Sequence, residues 1–195
     1  MDIAVVKYNA GNIRSVLYAL ERLGVAPNLT DDHEALRAAD KVIFPGVGEA
    51  STTMRFLKQK GLDQLIPSLE QPVLGICLGL QLMCKHSEEG NTDCLGIFDL
   101  EVKRFQDASV KIPHIGWNSI HDLKSPAFAH TQEGDFVYFV HSYYAELSGR
   151  TIATARYPQP FSAALHRNNF YAMQYHPEKS GAVGAKMLET FLKEV

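Results

Sequence analysis

The sequence predicts a three-layer α/β protein, a mostly parallel open sheet with helices on both faces and a smaller antiparallel β annex. Three observations carry that prediction. In the first half, short apolar runs alternate with segments of helical period, joined by short glycine-bearing turns, as in parallel strands linked by crossover helices. Past Leu100 the segments become short and β-like, which points to antiparallel pairing. Between the two halves, Gly75-Ile76-Cys77-Leu78-Gly79 joins an apolar strand to a helix with almost no intervening chain.

Taken in order, Ile3 to Lys7 is expected to be a strand. Asn12 then opens a helix whose Ile13, Val16, Leu17, Leu20 and Leu23 share one face, and Gly24 closes it. Ala26 to Leu29 reads as a second strand, Glu34 to Ala38 as a short helix and Lys41 to Phe44 as a third strand. Pro45-Gly46-Val47-Gly48 breaks that strand, and Ser51 to Lys60 resumes as helix. Val73 to Ile76 is a buried strand, and a helix starts at Leu78 and runs toward Lys85. The annex is expected from strands at Leu100 to Arg104, Asn118 to His121, Phe136 to Val140, Ile152 to Arg156, Ser162 to His166 and Tyr171 to Tyr175. A last helix, Ala182 to Lys193, turns Val183, Met187, Leu188 and Phe191 inward.

Whole-chain properties narrow the function. All 195 residues are expected to form one domain, with no repeat and no linker long enough to divide it. A net charge of -3 points away from nucleic acid and from anionic membranes as main partners. Met1-Asp2-Ile3 leads straight into a strand without a basic leader, and no apolar run approaches the length of a bilayer span. Three cysteines do not make a disulfide framework, so a reduced, cytoplasmic setting is expected.

Cys77 is the centre of the candidate chemistry. Gly-x-Cys-x-Gly is the thiol form of a nucleophile elbow, a tight turn that exposes its central side chain. Glycines are needed on both sides because Cβ atoms would clash where strand and helix fold back on one another. A helix N-terminus also favours the thiolate, the nucleophilic form of cysteine. By itself Cys77 could still be a buried core thiol, as Cys84 and Cys94 are expected to be, and it needs a base.

His176-Pro177-Glu178 supplies one. In extended chain, residues i and i+2 face the same way, and Pro177 holds both itself and its predecessor out of the helical region. A carboxylate on one ring nitrogen fixes the tautomer and frees the other nitrogen to take the thiol proton. The same three residues could be an ordinary surface turn. They make a poor metal pair, lacking helical i, i+4 spacing and a third ligand nearby, and neither metal nor cofactor is expected. Pro45-Gly46-Val47-Gly48 could likewise be a plain strand-to-helix turn. Functionally, it could aim the Val47 amide at a developing oxyanion beside the Leu78 amide, and its glycines would let that hole switch on and off.

Together these segments resemble the class I (triad) glutamine amidotransferases, in both order and spacing, over nearly the whole chain. The flavodoxin-like three-layer fold of that family is therefore implied. Pro113-His114-Ile115-Gly116-Trp117-Asn118, Tyr138-Phe139-Val140-His141-Ser142-Tyr143 and Leu80 before Gln81 narrow the likeness to the glutaminase subunits that serve a (β/α)8-barrel cyclase in histidine biosynthesis.

The resemblance implies that Cys77 attacks glutamine to form a γ-glutamyl thioester, with His176 oriented by Glu178 as proton carrier. It implies Val47 and Leu78 as oxyanion donors, and Gly48, Gln81, Glu89, Ser142 and Tyr143 as holders of glutamine. Asn12, Lys111, His114, Trp117 and Tyr138 are implied at the partner interface. Lys7-Tyr8-Asn9-Ala10-Gly11-Asn12 departs from the family in lacking a glycine at Asn9.

With the triad spread from position 77 to 178, no length is expected to remain for a second catalytic domain. Free ammonia protonates in neutral water, so a synthetic glutaminase must dock on the protein that uses it. Two other readings stay open, a glutaminase for another synthase, such as one that aminates surface sugars, and a partner-binding module with an idle triad.

Overall fold

The computed structural model describes residues 1–8 and 13–195. The first half contains β1 (Ile3–Val6), α1 (Arg14–Arg22), β2 (Asn28–Thr30), α2 (His33–Ala38), β3 (Lys41–Phe44), α3 (Ala50–Gln59), α4 (Leu62–Leu65), β4 (Val73–Ile76) and α5 (Leu78–Met83). The second half contains β5 (His86–Ser87), β6 (Thr92–Asp93), β7 (Glu101–Arg104), β8 (His114–Ser119), β9 (Phe136–His141), β10 (Tyr143–Ala145), β11 (Thr151–Arg156), β12 (Pro160–Arg167), β13 (Phe170–Met173) and α6 (Gly181–Glu194).

Seven strands form the principal sheet, in the order β2-β1-β3-β4-β13-β12-β11. From β2 to β13 every neighbouring pair is parallel, and the last two pairings are antiparallel. Successive side chains leave a strand on opposite faces, and the core divides accordingly. Ile3, Val5, Ile43, Leu74 and Ile76 pack with Leu20 of α1 and with Met187, Leu188 and Phe191 of α6. Ala4, Val6, Val42, Phe44 and Val73 face the other way, onto Leu36 of α2, Met54 and Leu57 of α3, and Leu80 of α5. Two faces buried under helices make the three layers.

The annex is smaller than the sequence predicts. A four-stranded sheet, β10-β7-β5-β6, and a two-stranded ribbon, β8-β9, lie apart from the principal sheet. The strands expected in the annex near 152–156, 162–166 and 171–175 instead extend the principal sheet as β11, β12 and β13. The deciding contact is the parallel pairing of Phe170–Met173 with Val73–Ile76, residues about a hundred positions away, which no local pattern encodes. Shorter shifts have local causes. The second strand begins at Asn28 rather than Ala26 because it pairs with Ala4 to Val6 only from that residue. The ribbon strand is His114–Ser119 rather than Asn118 to His121, matched residue for residue by Phe136–His141. Among the described residues, no helix is long and apolar enough to cross a membrane.

Candidate active site

β3, β4 and β13 are parallel neighbours, and each ends in a candidate segment: Pro45–Gly48, Cys77 and Gln174–His176. Side-by-side parallel strands bring their carboxyl ends together, which is where open α/β sheets build sites. Three segments far apart in sequence therefore meet around one cavity of about 330 Å³, lined by Gly46, Val47, Gly48, Cys77, Leu78 and His176 among others.

Cys77 sits at φ 53°, ψ -106°, left-handed backbone that a non-glycine residue adopts only when its surroundings enforce it. The enforcement is visible at its neighbours. A Cβ on Gly79 would lie 2.2 Å from the Phe44 carbonyl oxygen, so only glycine lets α5 start against the end of β3. Its own amide donates to the Met173 carbonyl at 2.7 Å, fixing the elbow to β13. The sulfur lies 3.7 Å from the Val140 carbonyl oxygen and 3.8 Å from Gln174 Nε2.

His176 is 2% exposed and lines the same cavity as Cys77, near enough for the sulfur to act on its titration. Its Nδ1 is 2.7 Å from Glu178 Oε1, and both side chains are 3% exposed. Burial opposes charge on this ring, but the Cys77 sulfur and the Glu178 carboxylate outweigh it and raise its pKa to about 10. The backbone is held as firmly: His176 N–H donates to the Tyr138 carbonyl at 2.9 Å, and the Ser180 hydroxyl donates to the His176 carbonyl at 2.6 Å. Sulfur, imidazole and carboxylate thus stand in the bonding order that nucleophilic catalysis requires. The second oxygen of Glu178 is buried without a hydrogen-bond partner among the described residues.

Val47 and Leu78 both line the cavity. In the same turn the Tyr8 hydroxyl donates to the Pro45 carbonyl at 2.5 Å. Gly48 adopts φ 140°, conformational space in which a side chain would be strained. Gln81 is 4% exposed, and its amide nitrogen donates to the Tyr143 carbonyl at 3.0 Å and to Gln174 Oε1 at 3.1 Å. Glu89 accepts from the Ala50 amide at 2.8 Å, and burial raises its pKa despite that bond. Ser142 and Tyr143 close the opposite wall.

The interface candidates separate. Trp117 is 55% exposed and meets Tyr138 edge-on at 5.9 Å across the ribbon, beside exposed Ile115 and Phe136. Lys111 is exposed as well. His114 faces inward at 4% exposure, stacked on Tyr157 at 4.0 Å, because β8 alternates and its first residue points to the core. Asn12, and the Asn9 position where the sequence departs from the family, lie outside the described residues.

Three polar side chains lining or touching the site escape the sequence reading: Gln174, His141 and Lys179. Two of them carried a signal. Gln174 stands two residues before His176 on extended chain and faces the same way. His141 ends the inward-facing row Val137, Phe139, His141 of β9, a polar residue where the period demands an apolar one. Its hydrogen bonds fix its tautomer: the Tyr143 carbonyl can only accept, so Nδ1 carries the proton and Nε2 accepts from His114 Nδ1 at 3.0 Å. Burial lowers both rings, His141 to about 3 and His114 to about 4, so both are neutral. Nothing local marks Lys179 apart from its place after Glu178.

Residues 5–195 match the family model described as glutamine amidotransferase class-I. This chain belongs to the class I glutamine amidotransferase family. A Bacteroides fragilis protein named imidazole glycerol phosphate synthase subunit HisH is 62% identical over 99% of this chain and 100% of its own length. The Bacteroides thetaiotaomicron protein of the same name is 61% identical, covering 98% of this chain and 99% of its own, and that of Idiomarina loihiensis is 42% identical, covering 99% and 98%. Among solved structures, a glutamine amidotransferase at 18% identity superposes with a TM-score of 0.75 over 97% of both chains. Another, from Thermotoga maritima, also at 18%, gives 0.67 over 100% of this chain and 83% of that one. At such identity the superpositions speak for the fold.

Proposed function

We propose that this amidotransferase is the glutaminase subunit of an imidazole glycerol phosphate synthase, with Cys77, His176 and Glu178 as its triad. The observation that carries the triad is that Cys77 and His176 line one cavity that admits a small molecule, with Glu178 2.7 Å behind the His176 ring. The relatives' shared name supports the choice of synthase.

In this reading His176 has already taken the thiol proton, as its raised pKa favours, when the Cys77 sulfur bonds to the side-chain amide carbon of glutamine. The resulting oxyanion is met by the Leu78 and Val47 amides. The C–N bond then breaks, His176 returns its proton to the leaving nitrogen, and ammonia departs from a γ-glutamyl thioester. Water, deprotonated by His176, attacks the thioester and releases glutamate and the thiol. Glu178 holds the ring throughout, so one imidazole serves both steps.

Gly48, Gln81, Ser142 and Tyr143 would frame the substrate, with the Glu89 carboxylate for its ammonium group. The partner is a (β/α)8-barrel cyclase that joins ammonia to a phosphoribulosyl-formimino nucleotide, giving imidazole glycerol phosphate and an aminoimidazole carboxamide ribotide. Exposed Trp117 and half-buried Tyr138 on the ribbon, with Lys111 near its start, would dock on it, aromatic anchors being common at interfaces.

The test is glutamate production with and without the cyclase. Cys77→Ser should abolish glutamine-dependent synthesis and leave ammonia-dependent synthesis of the complex intact. Glutamine turnover that survives this change would rule out Cys77 as nucleophile. Copurification with an ATP-dependent sugar-modifying enzyme instead of a cyclase would redirect the assignment within the family.

A further inference from the structure

The end of β13 brings two side chains to the Cys77 sulfur, His176 and, two residues earlier, Gln174. Gln174 is fully buried, and its backbone N–H donates to the Ala163 carbonyl at 2.8 Å. Its Nε2 lies 3.8 Å from the sulfur, within hydrogen-bond reach of so large an acceptor. It does not line the cavity, so it meets the sulfur from the protein side.

Which end of the amide faces the sulfur follows from the acceptors around it. The Tyr143 carbonyl can only accept, so the nitrogen of Gln81 points at it, at 3.0 Å. The second hydrogen of that nitrogen meets Gln174 at 3.1 Å, so Gln174 presents its oxygen there. Its nitrogen is left for Cys77. The Tyr143 carbonyl is itself anchored by His141 Nδ1 at 2.7 Å, and Gln81 is buried, so neither amide is free to turn over. The Val140 carbonyl, 3.7 Å from the sulfur, can only accept and suits the protonated thiol. Beside the His176 imidazolium, Gln174 is the side-chain donor in place for a charged sulfur.

We propose that Gln174 is a further catalytic residue, its side-chain N–H stabilising the negative charge that the Cys77 sulfur carries before attack and regains when the thioester is cleaved. This rests on the glutaminase reading. The donor counts twice in one turnover. Before attack it favours the thiolate, the nucleophilic form. As the sulfur bonds to the amide carbon, its charge passes to the carbonyl oxygen and the contact weakens. When water attacks the thioester, the C–S bond breaks and its electron pair returns to sulfur, and a stabilised thiolate leaves faster. The proton taken from that water stays on His176, beside the sulfur.

Gln174→Met removes the donor and keeps about the same volume. Alkylation of Cys77 by iodoacetamide, read by mass spectrometry on the peptide that holds it, reports the thiolate without glutamine. The pH of half-maximal alkylation should rise by about one unit, since one hydrogen bond to a charged group is worth at least that. In the complex with its cyclase, kcat should fall roughly tenfold. Gln81→Met takes away only the support of Gln174 and should move the alkylation profile much less. No shift in Gln174→Met overturns the proposal, and so does an equal shift in both variants, which would make the effect one of packing.

If Gln174→Met does not fold, the wild-type chain decides. The side-chain amide resonances of Gln174, followed by NMR, should titrate together with the Cys77 transition seen in alkylation. Resonances that ignore that transition also overturn the proposal. A complex that hydrolyses no glutamine while the alkylation profile still shifts would defeat the glutaminase reading, and the catalytic role with it, and leave only the hydrogen bond to the sulfur.

Discussion

Two histidines face each other across the site and have opposite electrical characters. His176, on the elbow side, is 2% exposed, and His141, on the ribbon side, is 5% exposed. Burial works against charge on both, yet the pKa of the first is raised to about 10 and that of the second lowered to about 3. The difference lies in what each ring touches. His176 has the Cys77 sulfur and the Glu178 carboxyl beside it, and both raise its pKa. His141 has a carbonyl and a second neutral imidazole. Depth sets how strongly a partner is felt, and the partner decides the sign. One region is thereby built to hold and pass a proton. The other is a neutral scaffold, which through the Tyr143 carbonyl also holds Gln81.

The largest effect should come from making the elbow side resemble the ribbon. Glu178→Gln keeps the shape and removes the charge, and should lower glutamine-dependent kcat by on the order of 10²- to 10⁴-fold. The His176 titration, followed by NMR, should fall toward the ordinary value of about 6.5. A variant that retains full activity would mean that Glu178 is not what orients the ring.

Gln174 bridges Cys77 and Gln81 across the floor of the site. Gln174→Met leaves a buried amide of Gln81 short of an acceptor, at a cost of about 1–3 kcal/mol in unfolding free energy. We expect a fall in kcat of roughly tenfold, the loss of about one polar contact to the reacting sulfur. Wild-type stability and rate together would dismiss the bridge.

His114→Phe should instead disturb the scaffold. It deprives His141 Nε2 of its donor and should lower stability by about 1–3 kcal/mol. The drop in kcat should be smaller than for Gln174→Met, since His114 does not line the cavity. Equilibrium denaturation and glutaminase assays on the same samples separate the two effects.

A separate effect is on stability against pH, and the two regions pull it in opposite directions. Unfolded histidines take up protons near pH 6.5, but His141 and His114 in the fold refuse them until about 3 and about 4. As pH falls below about 6.5 the unfolded chain binds the extra protons, and stability declines by up to about 1.4 kcal/mol per pH unit for each ring. His176 has the reverse sign: its contribution is complete below about pH 6.5 and is lost as pH rises toward about 10. Denaturation curves between pH 4 and 10 should therefore bow downward at both ends, and His114→Phe should flatten the acid side. A level acid limb in the wild type would mean that the ribbon histidines are charged in the fold.

What the sequence determined by itself is local. Val73–Ile76 as a buried strand and the glycines either side of Cys77 follow from backbone sterics and from the period of side chains along a strand. The turn after Phe44 was equally plain, because Pro45 and two glycines cannot continue a strand. Glu178, by contrast, reaches His176 from a 3-10 turn over Pro177–Lys179 and not by the strand alternation expected. What only the tertiary structure decided is which distant segments became neighbours. The pairing of β13 with β4 carried His176 to Cys77 and drew three strands out of the expected annex. Alternation along the ribbon turned His114 inward and left Trp117 outside. Tyr8 reads as an ordinary aromatic at a strand end until β1 and β3 lie side by side and place its hydroxyl on Pro45. Short-range sterics act on a few bonds and are written in adjacent residues. Strand order depends on the balance of burial and pairing over the whole chain, and no stretch of it records that alone.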